Sequence, residues 1–198
     1  MKKRTRRSSL WDRTGQSLVE FTLAMPVLLL LGLGVAEMGY LLLDQHAVTK
    51  LTREGSNLIS RSTTIDDAVA ALRTMSVRPV DLTAHSRVIF SVLKKGATPS
   101  TGNYDRIFLY RRHEYGPLSA ASKLRTVGGG SFGGAPDYEA INADNATGLQ
   151  VTSVPASLIG PRGGLIYVTE VYTTHELITP LAGFGVTAPS TLYSIAYF

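Results

Sequence analysis

The chain of 198 residues contains no cysteine. That excludes a disulfide framework, a zinc–thiolate site and a thiol nucleophile. Histidine is sparse as well: His46, His85, His113 and His175 are scattered along the sequence. His175-Glu176 opens like a zinc-binding helix, but the second ligand position holds Thr179, so no metal is expected. A surplus of positive charge is missing from the part that would form a folded domain. Of 20 Lys and Arg against 15 Asp and Glu, the first 15 residues hold Lys2, Lys3, Arg4, Arg6, Arg7 and Arg13 against Asp12, which leaves 14 of each sign for the rest. A nucleic-acid binder carries its surplus on the folded face, so nucleic acid is not an expected partner. The glycines around position 130 lack the Lys-Ser/Thr pair of a phosphate loop. Gly129-Gly130-Ser131-Phe132-Gly133 fits G-x-S-x-G in letters, but its flanks, Thr126-Val127-Gly128 and Gly134-Ala135-Pro136, suit a turn and not the strand and helix that a nucleophile elbow requires. A membrane-tethered serine hydrolase built on Ser131 is therefore the weakest reading. No catalysis and no cofactor are expected.

One long apolar run dominates what is present. A basic leader, residues 1–15, gives way to Gln16-Ser17-Leu18-Val19-Glu20, and residues 21–36 carry no charge. Residues 21–43 suffice to cross a hydrocarbon core of about 30 Å, with Glu37 as the one acid inside. Glu20 and Glu37 stand roughly 25 Å apart along a helix axis, so each carboxylate reaches an interface, Glu20 inside and Glu37 outside. Trp11 and Tyr40 fall near the same two boundaries, as interfacial aromatics do. The cationic leader orients the amino end to the cytoplasm. A cleaved secretory signal has a shorter apolar core with a small-x-small site after it; here Gly32-Leu33-Gly34 lies inside the run. Pro26 bends the helix. Gly32, Ala36 and Gly39 form a small-residue stripe that lets a partner helix approach. An acid at the lip of a membrane helix is costly and marks a functional site by default.

Gly15 followed by Gln16-Ser17-Leu18-Val19-Glu20 resembles the type IV prepilin processing site. More narrowly, Gly15-Gln16-Ser17-Leu18-Val19-Glu20-Phe21-Thr22-Leu23-Ala24-Met25-Pro26, with Gly34-Val35-Ala36-Glu37-Met38-Gly39 and Leu51-Thr52-Arg53-Glu54-Gly55, is similar to the TadE-like pseudopilins of tight-adherence (Flp/Tad) pilus systems. The departure is Phe21, where some members have Tyr. The resemblance implies cleavage after Gly15 by a prepilin peptidase, with the new amine of Gln16 pairing to a buried Glu20 of a neighbouring helix. That pairing would set the axial register of assembly. It also implies partners: sister pilins, the pilus membrane platform with its cytoplasmic ATPase, and inner-membrane lipid. The implied location is a single pass in the bacterial inner membrane with the globular domain outside, and the implied role is pilus assembly for surface adherence. The alternative is an envelope binding module that keeps its leader and stays anchored, with residues 116–163 as a recognition loop.

The fold expected is α+β. A transmembrane helix, 16–43, continues as an amphipathic stem, 44–61, with Val48, Leu51, Leu58 and Ile59 on one side. Residues 62–198 form the globular domain. Thr64 caps a short helix over 65–75, with Asp66 and Asp67 in its first turn. Strands are expected at 87–94, 104–111, 165–173 and 191–198, rich in β-branched and aromatic residues. They form a small antiparallel sheet of about four strands, in a pilin-like arrangement, with the stem covering one face. Arg111-Arg112-His113 reads as an edge strand protected by charge, with an anionic ligand as the lesser possibility. Asn145-Ala146-Thr147 is a formal glycan sequon. The Gly-rich stretch 116–163 has no periodicity from which to assign a structure.

Overall fold

The computed structural model describes residues 10–76, 78–155, 158, 160–180, 183, 185, 187 and 189–198, with side chains from Gly15 onward. The leader residues Lys2 to Arg7, the side chains of Trp11 and Arg13, and Leu181 lie outside the described residues. The chain divides into two compact units, residues 1–41 with 177–188, and residues 42–176 with 189–198.

The first unit contains the amino-terminal part of α1 (Leu10–Ser60). Leu is the commonest residue of this stretch, with Ala and Met beside it, and these residues lose little freedom in a helix. From Leu10, inside the expected leader, the helix runs without a break through Pro26. The ring of Pro26 removes one backbone donor, which a helix in an apolar medium tolerates better than one in water. Thr22 returns its hydroxyl to the Leu18 carbonyl at 2.8 Å, so this side chain carries its own hydrogen-bond partner into the apolar segment.

In the second unit the rest of α1 is the stem. Val48, Leu51 and Ile59 are buried along one side of it. The side chain of Thr64 accepts from the Asp67 amide and starts α2 (Ile65–Met75), with Asp66 and Asp67 in the first turn. These acids meet the positive end of the helix dipole. Four strands follow: β1 (Ser86–Lys95), β2 (Ile107–Tyr115), β3 (Leu165–Thr174) and β4 (Thr191–Tyr197). They form one antiparallel sheet in the order β2-β1-β3-β4. The class is α+β, as the patterning predicts.

β2 differs from the sequence expectation. It starts three residues later, because Asp105 adopts φ 58 and its amide returns to the Gly96 carbonyl, which consumes 104–106 in the turn. It also runs on to Tyr115, since Arg112, His113 and Glu114 pair with Ser91, Phe90 and Ile89. An edge strand accepts such charged residues.

Register assigns the two faces. Val88 and Phe90 lie beside Val171 and Thr169, and Gly55 of the stem presses on this face. A Cβ at Gly55 would come within 2.8 Å of the Thr169 methyl and 3.2 Å of Leu72, so only glycine lets the helix this close. The opposite face carries Leu93, Ile166 and Val168, and the stretch unassigned from sequence covers it. Leu124, Ala140 and Leu149 join these strand residues in one buried cluster. The covering segment is irregular: a 3-10 turn at Thr147–Leu149 and isolated bridges, Thr126 to Val151 and Phe132 to Ala140. It starts at Gly116, whose φ of +114 and approach to the Ser86 carbonyl leave no room for a side chain.

Candidate functional site

Each residue singled out in the apolar run lies on α1. Gly15 sits in the helix, and a Cβ there would meet nothing within 4 Å. One turn on, the Gln16 side-chain amide donates to Glu20 Oε1 at 3.0 Å. The carboxylate thus already has a partner on its own helix, and both side chains are exposed. Phe21 is 60% exposed, as are its neighbours: no residue of the most apolar 18-residue window of the helix is buried. An apolar surface of this length on one helix fits a lipid or partner-helix environment. Gly32, Ala36 and Gly39 are all exposed, and the two glycines have open space beside them.

Glu37 has the opposite surroundings. It is only 6% exposed and stands roughly 100–160° around the helix axis from those three small residues. Its two oxygens accept from backbone amides, Oε1 from Ile178 at 3.2 Å and Oε2 from Thr179 at 2.9 Å. Consecutive amides directed at one carboxylate form an anion-binding nest. The acid expected at the outer interface, which the resemblance also places among the helix-packing residues, accepts from the 177–179 segment. Sequence reasoning missed those two amides. The available signal was Pro180, which ends a Leu177-Ile178-Thr179 stretch lacking strand alternation.

The other candidates are engaged within the second unit. Arg111 pairs with Glu139 and, at 3.6 Å, with Asp137. Hydrogen bonds from Tyr110 and Arg111 hold the Glu139 carboxyl below its usual range. Arg112 reaches Ser91 at 3.3 Å and Ser122 at 3.0 Å. His113 stacks on Tyr138 with ring centroids 4.1 Å apart, and burial lowers its pKa against the opposing charges of Asp66 and Glu114. The triplet lies on the edge strand, and the covering segment supplies a partner to each of its members. Ser131 follows no strand and precedes no helix, its neighbour Phe132 making only an isolated bridge to Ala140. His175 Nδ1 lies 2.7 Å from Asp44 Oδ2. Among the described residues no three His, Asp or Glu are grouped to hold a metal.

Residues 15–57 match the family model described as TadE-like protein. Neither a curated protein nor a solved structure matches the chain. The match spans the glycine, Glu20, the apolar run, Glu37 and the stem as far as Gly55 and beyond. The likeness is confined to this segment, and the family it points to is one of pilus structural or assembly components. Among the described residues one helix is long and apolar enough to cross a membrane, which suggests a membrane-anchored, single-pass protein.

Proposed function

We propose that this TadE-like chain is a minor pilin of a tight-adherence pilus, cut after Gly15 and assembled through its amino-terminal helix. The supporting observation is the family match over residues 15–57, the stretch that holds the glycine–glutamate spacing and the exposed apolar helix together. The leader resides in the cytoplasm and the globular unit outside, because a cationic amino end is retained on the cytoplasmic side. A prepilin peptidase removes the leader, and the amine exposed on Gln16 approaches Glu20 of a neighbouring subunit. Among the described residues the partner of that carboxylate is its own Gln16 amide, a neutral donor, whereas a cationic amine makes a stronger, charge-assisted bond. Burial of an unpaired Glu20 among apolar helices would cost several kcal/mol, on the order of what one charged residue costs at membrane depth, so the pair fixes the register. Phe21, Pro26, Gly32, Ala36 and Gly39 supply the contact surface for sister helices, and Glu37 holds the segment that follows β3. The membrane platform and its ATPase drive the assembly.

Mass spectrometry of the chain recovered from pilus-producing cells tests the processing step. The expected mature chain begins at Gln16; any other amino terminus overturns cleavage after Gly15. Glu20→Gln and Glu20→Ala are expected to remove the subunit from sheared pili while leaving it in the membrane fraction. Normal incorporation of either variant would refute the register role.

A further inference from the structure

Two neighbouring concavities of the second unit differ in chemistry and meet at Val80. One is an apolar groove of about 280 Å³ with Leu43, Ala47, Leu51, Met75 and Val80 among its walls, and with Lys50 and Glu54 also lining it. The other is a cavity of about 790 Å³ that Arg73, Arg78 and His85 line, together with hydroxyls from Thr74 and Ser76. Leu43, the last residue of the apolar run, is 65% exposed, and Met75 is 44% exposed. Among the described residues neither Arg73 nor Arg78 has a carboxylate partner; Arg73 only lies over the Tyr115 ring at 5.8 Å. The one acid in the cavity wall, Asp81, is turned to Thr83, whose amide and hydroxyl donate to the same oxygen at 2.8 and 2.6 Å. His85 is oriented by a 2.9 Å contact between Nε2 and the Pro79 carbonyl.

From this juxtaposition we infer that the pair of concavities is a binding site for an anionic glycerophospholipid: the groove takes the glycerol end of the acyl chains, and Arg73 and Arg78 take the phosphate. The inference rests on the reading of residues 16–43 as the membrane-spanning segment, which brings Leu43 to the boundary between hydrocarbon and water. A site there meets a molecule that is apolar at one end and phosphorylated at the other. Guanidinium groups present a planar fork that matches phosphate oxygens two at a time. Basic pockets beside a membrane span attract anionic head groups. A free phosphate would use the cavity but gain nothing from the adjoining apolar groove.

The test uses the full chain in nanodiscs of phosphatidylcholine, alone or mixed with phosphatidylglycerol, with retained lipid counted by native mass spectrometry. Phosphatidylglycerol is expected to be held in preference to phosphatidylcholine. The double variant R73Q/R78Q is expected to lose about twenty-five-fold in that preference, about fivefold for each arginine at a membrane surface, whereas R73K/R78K retains most of it and Arg125→Gln changes nothing. Equal retention of the two lipids overturns the site, as does an unchanged preference in R73Q/R78Q. Displacement of the lipid by glycerol phosphate at equal concentration also overturns it, by showing a site for a free phosphate. Extraction of the wild-type chain by alkaline carbonate is scored alongside. A chain that is released overturns the spanning segment and the site with it, whereas a resistant chain that does not discriminate lipids overturns the site alone.

Discussion

Glu170 has no exposed surface, yet donors converge on it from three parts of the chain. The Ser122 hydroxyl and the Lys123 amide come from the covering segment, the latter at 2.8 Å, while the phenols of Tyr172 and Tyr193 approach at 3.3 and 3.0 Å from β3 and β4. A carboxylate taken out of water is tolerable only with its lone pairs filled. The same packing acts on the phenols. Burial, and then the negative charge of Glu170, raise the pKa of Tyr172 and of Tyr193 well above the usual value. A group whose folded pKa is raised contributes stability that is complete below the unfolded value and is lost as pH rises beyond it. Stability is therefore expected to fall as pH climbs above about 10, the unperturbed tyrosine value. Chemical denaturation over a pH series should show a shallower decline for Tyr193→Phe, by one proton's worth, and an identical slope would refute the assignment. Sequence shows Glu170 as one acid in an alternating strand. It does not show that residues 122 and 123, far away along the chain, supply its donors.

The elements differ in how much of them local pattern reveals. Thr64 with two acids behind it starts α2 where capping chemistry says it should, and β1, β3 and β4 fall within a residue of their β-branched runs. Those signals are local. The start of β2 was not legible, because a single left-handed residue, Asp105, shifts it. Residues 116–163 were illegible for a different reason. They bury isolated side chains against distant strands, so no period of 2 or 3.6 arises. Leu149 is 2% exposed and packs with Leu93, Phe108 and Ile166, and Gly130 leaves it room: a Cβ there would fall within 2.4 Å of Leu149. A segment that looks like a flexible loop is thus part of the core. Leu149→Ala is expected to destabilise the second unit by about 2–5 kcal/mol, the range for a large-to-small core change. Urea unfolding of the full chain in detergent measures this, and a loss well under 1 kcal/mol would show that the segment is not holding the sheet face.

At the scale of the whole molecule, the strongest sequence signal is the separation of charge from fold. All of the excess positive charge precedes Gln16, and the remainder is balanced. That asymmetry, together with the apolar run, made the membrane anchor readable from letters alone, and the family match falls on the same stretch. The Glu37 nest and the Arg73–Arg78 cavity were not readable, because each joins residues from separate stretches of chain: Glu37 with Ile178 and Thr179, and α2 with the turn before β1.

The central position of β1 has a kinetic consequence. It pairs on one side with β2, its neighbour in sequence, and on the other with β3, which arrives only after the entire covering segment. Ring closure over so long a stretch is entropically slow, and folds dominated by distant pairings form late. The hairpin of β1 and β2 can therefore form early, but its second edge stays open to stray strands until β3 docks, a period in which a chaperone would be useful. Once closed, β1 and β3 should hold the slowest-exchanging amide hydrogens; if the amides of α2 outlast them in deuterium exchange, cooperativity is centred elsewhere.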